Sequence, residues 1–200
     1  MTAKKAEKAE KNENNFFPVL AKYKADEIKI EDQGLARYIN LETENIYTGG
    51  IYSNKLFAKS KIPIVERLIN NMMRTENYNG KKTKAYKVVR KAFEIIDKKT
   101  KSNPMQVFID ALQNAAPKEE TTRLKFGGIS VPKAVDVAPQ RRLDIAIRNI
   151  CHGAVNTTHN NKKRIESCLA DEIIKASKND TASFAVAKKN DVERVAKSAR

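Results

Sequence analysis

Apolar residues recur at steps of three and four along much of the chain beyond residue 63, which is the spacing of a helix with one buried face. The first such run follows Pro63, a residue tolerated at the start of a helix, and consists of Ile64, Val65, Leu68, Ile69, Met72 and Met73. A second run follows Gly80 and consists of Ala85, Val88, Val89, Ala92, Phe93, Ile95 and Ile96. Lysines occupy the opposite side of this second predicted helix, so its outer face is strongly basic.

Three further helices follow the same reasoning. Asn103 and Pro104 form a capping residue and a first helical residue, and Pro117 ends the third helix that they begin. A fourth helix is predicted to start near Pro139. The fifth carries its apolar stripe at Ile165, Cys168, Leu169, Ile173 and Ala176.

The end of the chain predicts a short sixth helix. Asn190 and Glu193 resemble a capping pair, with the apolar residues Val192, Val195, Ala196 and Ala199 around and after them.

Between the third and fourth helices the apolar period changes to about two, which is typical of a strand. The alternation breaks only at Gly127 and Gly128, so we predict a two-stranded β-hairpin over about residues 121–137 that turns at this glycine pair. A lone hairpin is marginal in water, and we therefore interpret it as an arm that gains order from a partner. The predicted fold class is mainly α: a bundle of about six helices with one protruding β-hairpin arm and an N-terminal extension.

The N-terminal quarter has a different composition. Residues 1–15 are mostly Lys, Glu, Asn and Ala, with nothing to bury, and are predicted to be a disordered tail. Residues 16–52 have a mixed pattern, with a possible short helix from Gly34 to Asn40, and form the N-terminal extension. Residues 53–200 form the helical domain.

Charge points to a polyanionic partner. The chain has 39 Lys and Arg against 24 Asp and Glu, a formal net charge of +15. Residues 1–52 hold 8 basic and 9 acidic residues, which leaves 31 and 15 for residues 53–200. The excess positive charge therefore belongs to the predicted helical domain, and nucleic acid is the first candidate partner.

The candidate RNA contacts are basic residues spread over the second helix, the hairpin and its flank, the start of the fifth helix and the C-terminal segment. They are Lys81, Lys82, Lys84, Lys87, Lys91, Arg123, Lys125, Lys133, Arg141, Arg142, Lys162, Lys163, Arg164, Lys188, Lys189, Arg194, Lys197 and Arg200. Separated contact points suit a folded RNA better than one duplex groove. With aromatic residues at 6% and no Trp, recognition of RNA shape is favoured over base stacking.

Motifs that would indicate chemistry are incomplete. The turn from Gly80 to Thr83 lacks the first glycine of a phosphate loop, and Lys82 stands where Ser or Thr should follow the lysine. The potential soft metal ligands are spaced unlike a zinc site, and core cysteines are the favoured interpretation: Cys151, His152, His159 and Cys168. Adjacent acidic pairs do not face one another on a helix. We predict no catalytic residue, no metal site, no cofactor and no enzymatic activity.

Location follows from two simple counts. No stretch approaches the roughly 18 apolar residues that a membrane-spanning helix needs, so no membrane partner is expected. The chain has only two cysteines, Cys151 and Cys168, which are too few to stabilise 200 residues by disulfide bonds. This favours a reducing compartment, the cytoplasm. From the residues alone, a free helical DNA- or RNA-binding regulator stays open as an alternative.

Eight short segments, in this order, resemble the universal small-subunit ribosomal protein seven family, in the archaeal and eukaryotic branch that eukaryotes number five. They are Lys61–Leu68, Asn79–Lys82, Ala92–Ile96, Asn103–Val107, Gly127–Gly128, Ala134–Val137 with Pro139 and Arg141–Arg142, Cys168–Glu172, and Glu193–Ser198. The resemblance covers about residues 53–200, and the joint order of the segments is what makes it specific.

This resemblance implies a structural protein of the small ribosomal subunit. Members of the family bind the 3′ major domain of small-subunit rRNA, help to assemble the head, and contact other small-subunit proteins, including a platform protein. The resemblance also implies that the hairpin, Arg123 to Lys133, and the C-terminal end, Lys188 to Arg200, lie near the mRNA exit channel and the E-site tRNA. A cytoplasmic ribosome is the expected location.

Overall fold

The computed structural model describes residue 23 and residues 28–42, 47–76 and 78–200. The predicted disordered tail, residues 1–15, lies outside the described residues, and so does much of the predicted extension. Within the described ranges the chain forms one short helix, six longer helices and a two-stranded antiparallel sheet. The predicted mainly α fold with one hairpin arm is confirmed.

Most of the elements from the 3₁₀ helix onward follow one another with short connections. They are α1 (Gln33–Ala36), a 3₁₀ helix (Ala58–Lys61), α2 (Ile64–Met73), α3 (Lys82–Thr100), α4 (Pro104–Ala115), β1 (Glu119–Phe126), β2 (Ile129–Asp136), α5 (Pro139–Thr158), α6 (Ile165–Ser177) and α7 (Phe184–Ser198).

Local capping explains where the middle helices begin. The side chain of Asn103 accepts a hydrogen bond from the Met105 backbone N–H, with Pro104 at the first helical position of α4. Pro139 stands at the first position of α5. Both starts are as predicted.

The C-terminal helix is longer than predicted. It begins at Phe184, so Asn190 lies in its interior and the capping pair predicted there is wrong. The buried Ser183 caps the helix, and its hydroxyl donates to Glu172 Oε1 at 2.8 Å. The same carboxylate oxygen accepts the backbone N–H of Ala185 at 3.0 Å. A buried carboxylate from α6 therefore completes the N-terminus of α7.

A single apolar core joins these helices. α6 packs against α3, α4, α5 and α7, and Phe93 of α3 meets Phe108 of α4 edge to face, with ring centroids 5.9 Å apart. Cys151 and Cys168 are both buried and free, which confirms the prediction that they are core residues. The segment around residues 28–41 packs onto the same core, since Leu35 is fully buried within it.

The hairpin leaves this body as an arm. Its strands pair from Glu119 with Asp136 to Phe126 with Ile129. Gly127 and Gly128 have φ of 52° and 87°, and two consecutive residues with positive φ match the tight turn that the hairpin twist favours. The strands are exposed from Arg123 outward, at every position whose side chain is described. The predicted hairpin and its glycine turn are confirmed.

Candidate nucleic-acid interface

The basic face of α3 is built as its periodicity predicts. Its apolar side is buried against the core, which turns Lys84, Lys87 and Lys91 to the surface. Lys84 and Lys87 form no ion pair with any residue in the described ranges, whereas Lys91 Nζ lies 3.3 Å from Glu166 Oε1. Lys81, just before the helix, is also exposed. This face therefore carries cationic groups that no residue in the described ranges neutralises.

Lys82 is held differently from its neighbours. Its Nζ lies 2.6 Å from Oε1 of Glu66, a carboxylate only 1% exposed, and 4.4 Å from the centre of the Tyr47 ring. Glu66 also accepts the backbone N–H of Thr48 at 3.1 Å. Lys82 therefore ties α3 to α2 and to the segment at Tyr47, and within the protein its charge is already paired.

The two arginines at the start of α5 are also engaged. Arg141 donates through Nε and Nη2 to both oxygens of Glu120, at 2.8 and 3.0 Å, in a bidentate fork. Arg142 donates to Asp32 at 2.9 Å and to the carbonyl of Pro117 at 3.2 Å. The Arg141 side chain remains 60% exposed, but that of Arg142 is only 11% exposed. Arg141 can still reach a phosphate, whereas Arg142 mainly holds the N-terminal segment in place.

The hairpin separates its polar and apolar side chains onto two faces. Because residues paired across the strands share a face, the register places Arg123 and Lys125 together with Pro132 and Ser130. The other face carries Leu124 and Val131 as a pair, Ile129, and Lys133 opposite Thr122. The arm therefore offers a basic face and a face that is apolar towards its tip.

The remaining predicted residues lie on loops and on α7. Lys162, Lys163 and Arg164 form an exposed turn between α5 and α6. The residues of this group without an ion pair in the described part of the chain are Lys162, Lys163, Arg164, Lys188, Lys189 and Lys197. Arg194 pairs with Asp191 at 3.0 Å, and Arg200 pairs with Glu119 at the base of the hairpin.

One basic group was not singled out from the sequence. Arg74 at the end of α2 and Arg148 and His152 on α5 line a common cleft together with Asn71, Thr75 and Cys151. Arg148 and His152 are spaced i, i+4 on the polar side of α5, a signal that was available. Arg74 lies in a turn, and periodicity could not bring it to α5.

The described residues offer little for catalysis or metal binding. Among them, no group of three His, Cys, Asp or Glu residues could hold a metal ion. Burial raises the pKa of the Cys151 thiol well above its ordinary value, so it is not a nucleophile. A search of the same residues finds no helix with the length and apolar character to cross a membrane.

Comparison with known proteins gives a consistent result. A family model described as ribosomal protein S7p/S5e matches residues 35–200. A small ribosomal subunit protein uS7 from Picrophilus torridus is 56% identical over 183 residues, 91% of this chain and 98% of the relative. The proteins of the same name from Thermoplasma volcanium and Methanothermobacter thermautotrophicus are 53% and 52% identical, each over 90% of this chain and 98% of the relative.

Proposed function

This chain belongs to the ribosomal protein S7p/S5e family, in its archaeal branch, and from this premise we infer that it binds the 3′ major domain of small-subunit rRNA. It is a structural component of the small ribosomal subunit and not an enzyme. The finer proposal is that the helical body helps to organise the RNA of the subunit head, on a ribosome in the cytoplasm.

The distribution of unpaired positive charge carries the RNA-binding proposal. Lys84 and Lys87 on α3 and the turn Lys162–Arg164 are exposed and form no ion pair within the described ranges. Such side chains gain the most binding free energy from contact with phosphate. The contact relieves the repulsion between the side chains, and it releases the counterions that were bound to the RNA. Lys82 and Arg142, by contrast, are already paired with carboxylates, and we assign them a smaller part in binding.

The arm supports a second part of the proposal. We place the hairpin, Arg123 to Lys133, and the C-terminal end, Lys188 to Arg200, near the mRNA exit channel and the E-site tRNA. The basic face with Arg123 and Lys125 suits a phosphate backbone. The apolar face, where Ile129 is 70% and Val131 46% exposed, suits a neighbouring small-subunit protein such as one of the platform.

Sedimentation tests the ribosomal assignment in cells. We expect the chain to sediment with small subunits on a sucrose gradient at high magnesium concentration. A free DNA- or RNA-binding regulator would instead remain in the soluble fractions, and finding the chain only there would overturn the proposal.

A charge variant tests the RNA contacts directly. The triple substitution Lys162→Ala, Lys163→Ala and Arg164→Ala should weaken binding to a transcript of the 3′ major domain. The slope of log K against log salt concentration should become less steep by roughly 2, since each phosphate contact contributes about 0.7–0.9 to this slope. The control, which removes two positive charges instead of three, is Lys175→Ala with Lys178→Ala, two exposed lysines outside the predicted set. An unchanged slope in the triple variant would refute this contact.

A further inference from the structure

A cleft between the end of α2 and the middle of α5 contains two arginines that no described residue pairs with. Arg74 is the C-terminal capping residue of α2, and Arg148 projects from α5. Both are exposed and neither forms an ion pair with a residue of the described ranges. Arg67, on the same α2 helix, is instead 3% exposed and bound to Asp144. The cleft therefore concentrates positive charge that is not paired within the described ranges.

Local hydrogen bonds hold the floor of this cleft, and none of its described lining residues is acidic. Thr75 donates its hydroxyl to the Met72 carbonyl at 2.7 Å, and Asn71 donates its amide to the Arg67 carbonyl at 3.0 Å. The buried Cys151 completes the floor. Since none of the described residues that line the cleft is Asp or Glu, the two guanidinium groups are its main charged donors, and the ligand they favour is an anion.

Shape and donor chemistry indicate which anion. The volume is about 90 Å³, a small space that can take a phosphate group. Guanidinium is planar, always charged and able to donate two parallel hydrogen bonds to phosphate oxygens. His152 lies one helical turn beyond Arg148 at the rim and supplies a further nitrogen.

The position of the cleft connects two predicted contact regions. Arg141, Arg148 and His152 lie seven and four residues apart, so at 100° per residue they project within about 20° of one line along α5. Arg141 stands at the start of that helix, and Lys162–Arg164 follow its end. An RNA strand that follows α5 would meet the cleft between these two regions.

We propose that this α2–α5 cleft binds a backbone phosphate of small-subunit rRNA through Arg74 and Arg148. The inference rests on the proposed RNA-binding function and adds to it a contact outside the residues predicted from the sequence.

Phosphate-ethylation interference on a transcript of the 3′ major domain tests the proposal. Ethylating a phosphate in the cleft should block binding of the natural protein, and the same modification should become neutral for the Arg74→Ala, Arg148→Ala variant. This variant should also bind about tenfold or more weakly, with a salt slope flatter by about 1. The Arg74→Lys, Arg148→Lys variant should keep the salt slope and recover only part of the affinity. Lysine keeps the positive charge but cannot donate two parallel hydrogen bonds to a phosphate.

Two controls keep the outcomes separate. The Lys175→Ala, Lys178→Ala variant loses the same formal charge and should retain the natural interference pattern. Thermal unfolding should be nearly unchanged in the double-alanine variant, because neither arginine is used in an ion pair with a described residue.

If the natural protein fails to bind the transcript, the proposed function itself fails. If it binds and the double-alanine variant keeps its affinity, slope and interference pattern, the cleft proposal is wrong and the RNA-binding proposal stands. Equal loss in the double-alanine variant and the lysine control, with no phosphate-specific change, would also overturn the cleft proposal.

Discussion

Asp144 on α5 joins three parts of the fold through one carboxylate. Its Oδ1 lies 2.9 Å from Arg67 Nη2 on α2, and its Oδ2 lies 2.9 Å from Lys59 Nζ in the 3₁₀ helix. Burial alone would raise the pKa of Asp144, but the hydrogen bonds and charges of Lys59 and Arg67 outweigh it and lower the pKa below its ordinary value. The ionised form of Asp144 therefore stabilises the folded state.

The Asp144→Asn variant should lose about 2 kcal/mol of unfolding free energy at neutral pH, since it leaves the buried Arg67 without its anion. Because the pKa of Asp144 is lower in the folded protein than in the unfolded chain, its carboxylate stabilises the fold fully at pH values above the unfolded pKa. This stabilisation is lost as the pH falls through the pKa of the folded state. The difference between the natural protein and the variant should therefore be full near pH 7 and shrink below about pH 4. Urea denaturation across this pH range measures it.

The exposed pair of Asp191 with Arg194 provides the control for this experiment. Asp191→Asn should change stability by less than about 0.5 kcal/mol, because both side chains are more than half exposed. A difference for Asp144→Asn that persisted undiminished to pH 2 would contradict the assigned role of its carboxylate.

Residue spacing predicted which side chains face outward but not which are neutralised. Lys82 lies on the polar side of α3, and its periodicity gives no sign that Glu66, 16 residues earlier, lies opposite it. Arg142 likewise pairs with Asp32, which lies 110 residues earlier in the chain. Such pairings depend on how helices pack, which a single sequence of this kind does not encode in its local pattern.

The hairpin and the C-terminal helix α7 are joined at the base of the arm. The backbone N–H of Lys118 donates to Glu193 Oε1 at 2.9 Å, and that of Ala134 donates to the Ala199 carbonyl at 3.4 Å. Arg200 pairs with Glu119 on the first strand. Since a two-stranded sheet is marginal alone, these contacts brace the root of the arm and set its direction.

Glu193→Ala should loosen the arm without unfolding the body. We expect faster amide hydrogen exchange at residues 118–137 and little change in α3 to α6, because the substitution removes one contact at the hairpin base. Hydrogen exchange read by mass spectrometry would measure this, with Asp191→Ala on the same helix as the control. Unchanged exchange in the hairpin would mean that α7 does not brace it.

Most helices and both strands could be predicted from the sequence, but the start of α7 could not. The change of period and the glycine pair located the hairpin, and Asn103 with Pro104 located α4. The start of α7 was missed because its cap, Ser183, is held by Glu172 from another helix. The local pattern instead favours Asn190 and Glu193 as the cap, although Glu193 contacts the hairpin base.

At the scale of the whole molecule, net charge opposes folding. The formal net charge of +15 already counts the acidic residues that form ion pairs, such as Asp144 and Glu120, so 15 positive charges remain in excess. Exposed lysines without a partner in the described part of the chain repel one another over about 10 Å at 0.1 M salt. RNA would remove that repulsion.

The free protein should therefore become more stable as salt is added. We expect its thermal midpoint to rise by several degrees between about 20 and 300 mM sodium chloride, because screening of the net repulsion outweighs weakening of the surface ion pairs. Calorimetry at fixed pH would measure this. A midpoint that falls with salt would mean that the ion pairs dominate instead.

The burial of Leu35 also constrains when the fold can close during synthesis. Leu35 belongs to a core that α5 helps to build. The nearby Asp32 accepts a hydrogen bond from Arg142, which is synthesised 110 residues later. A nascent chain emerges from its N-terminus, so this segment leaves the tunnel long before its packing surface exists. The contacts of this segment with α5 can form only after α5 has been made, although its contacts with α4, such as that of Asp32 with Gln113, can form earlier.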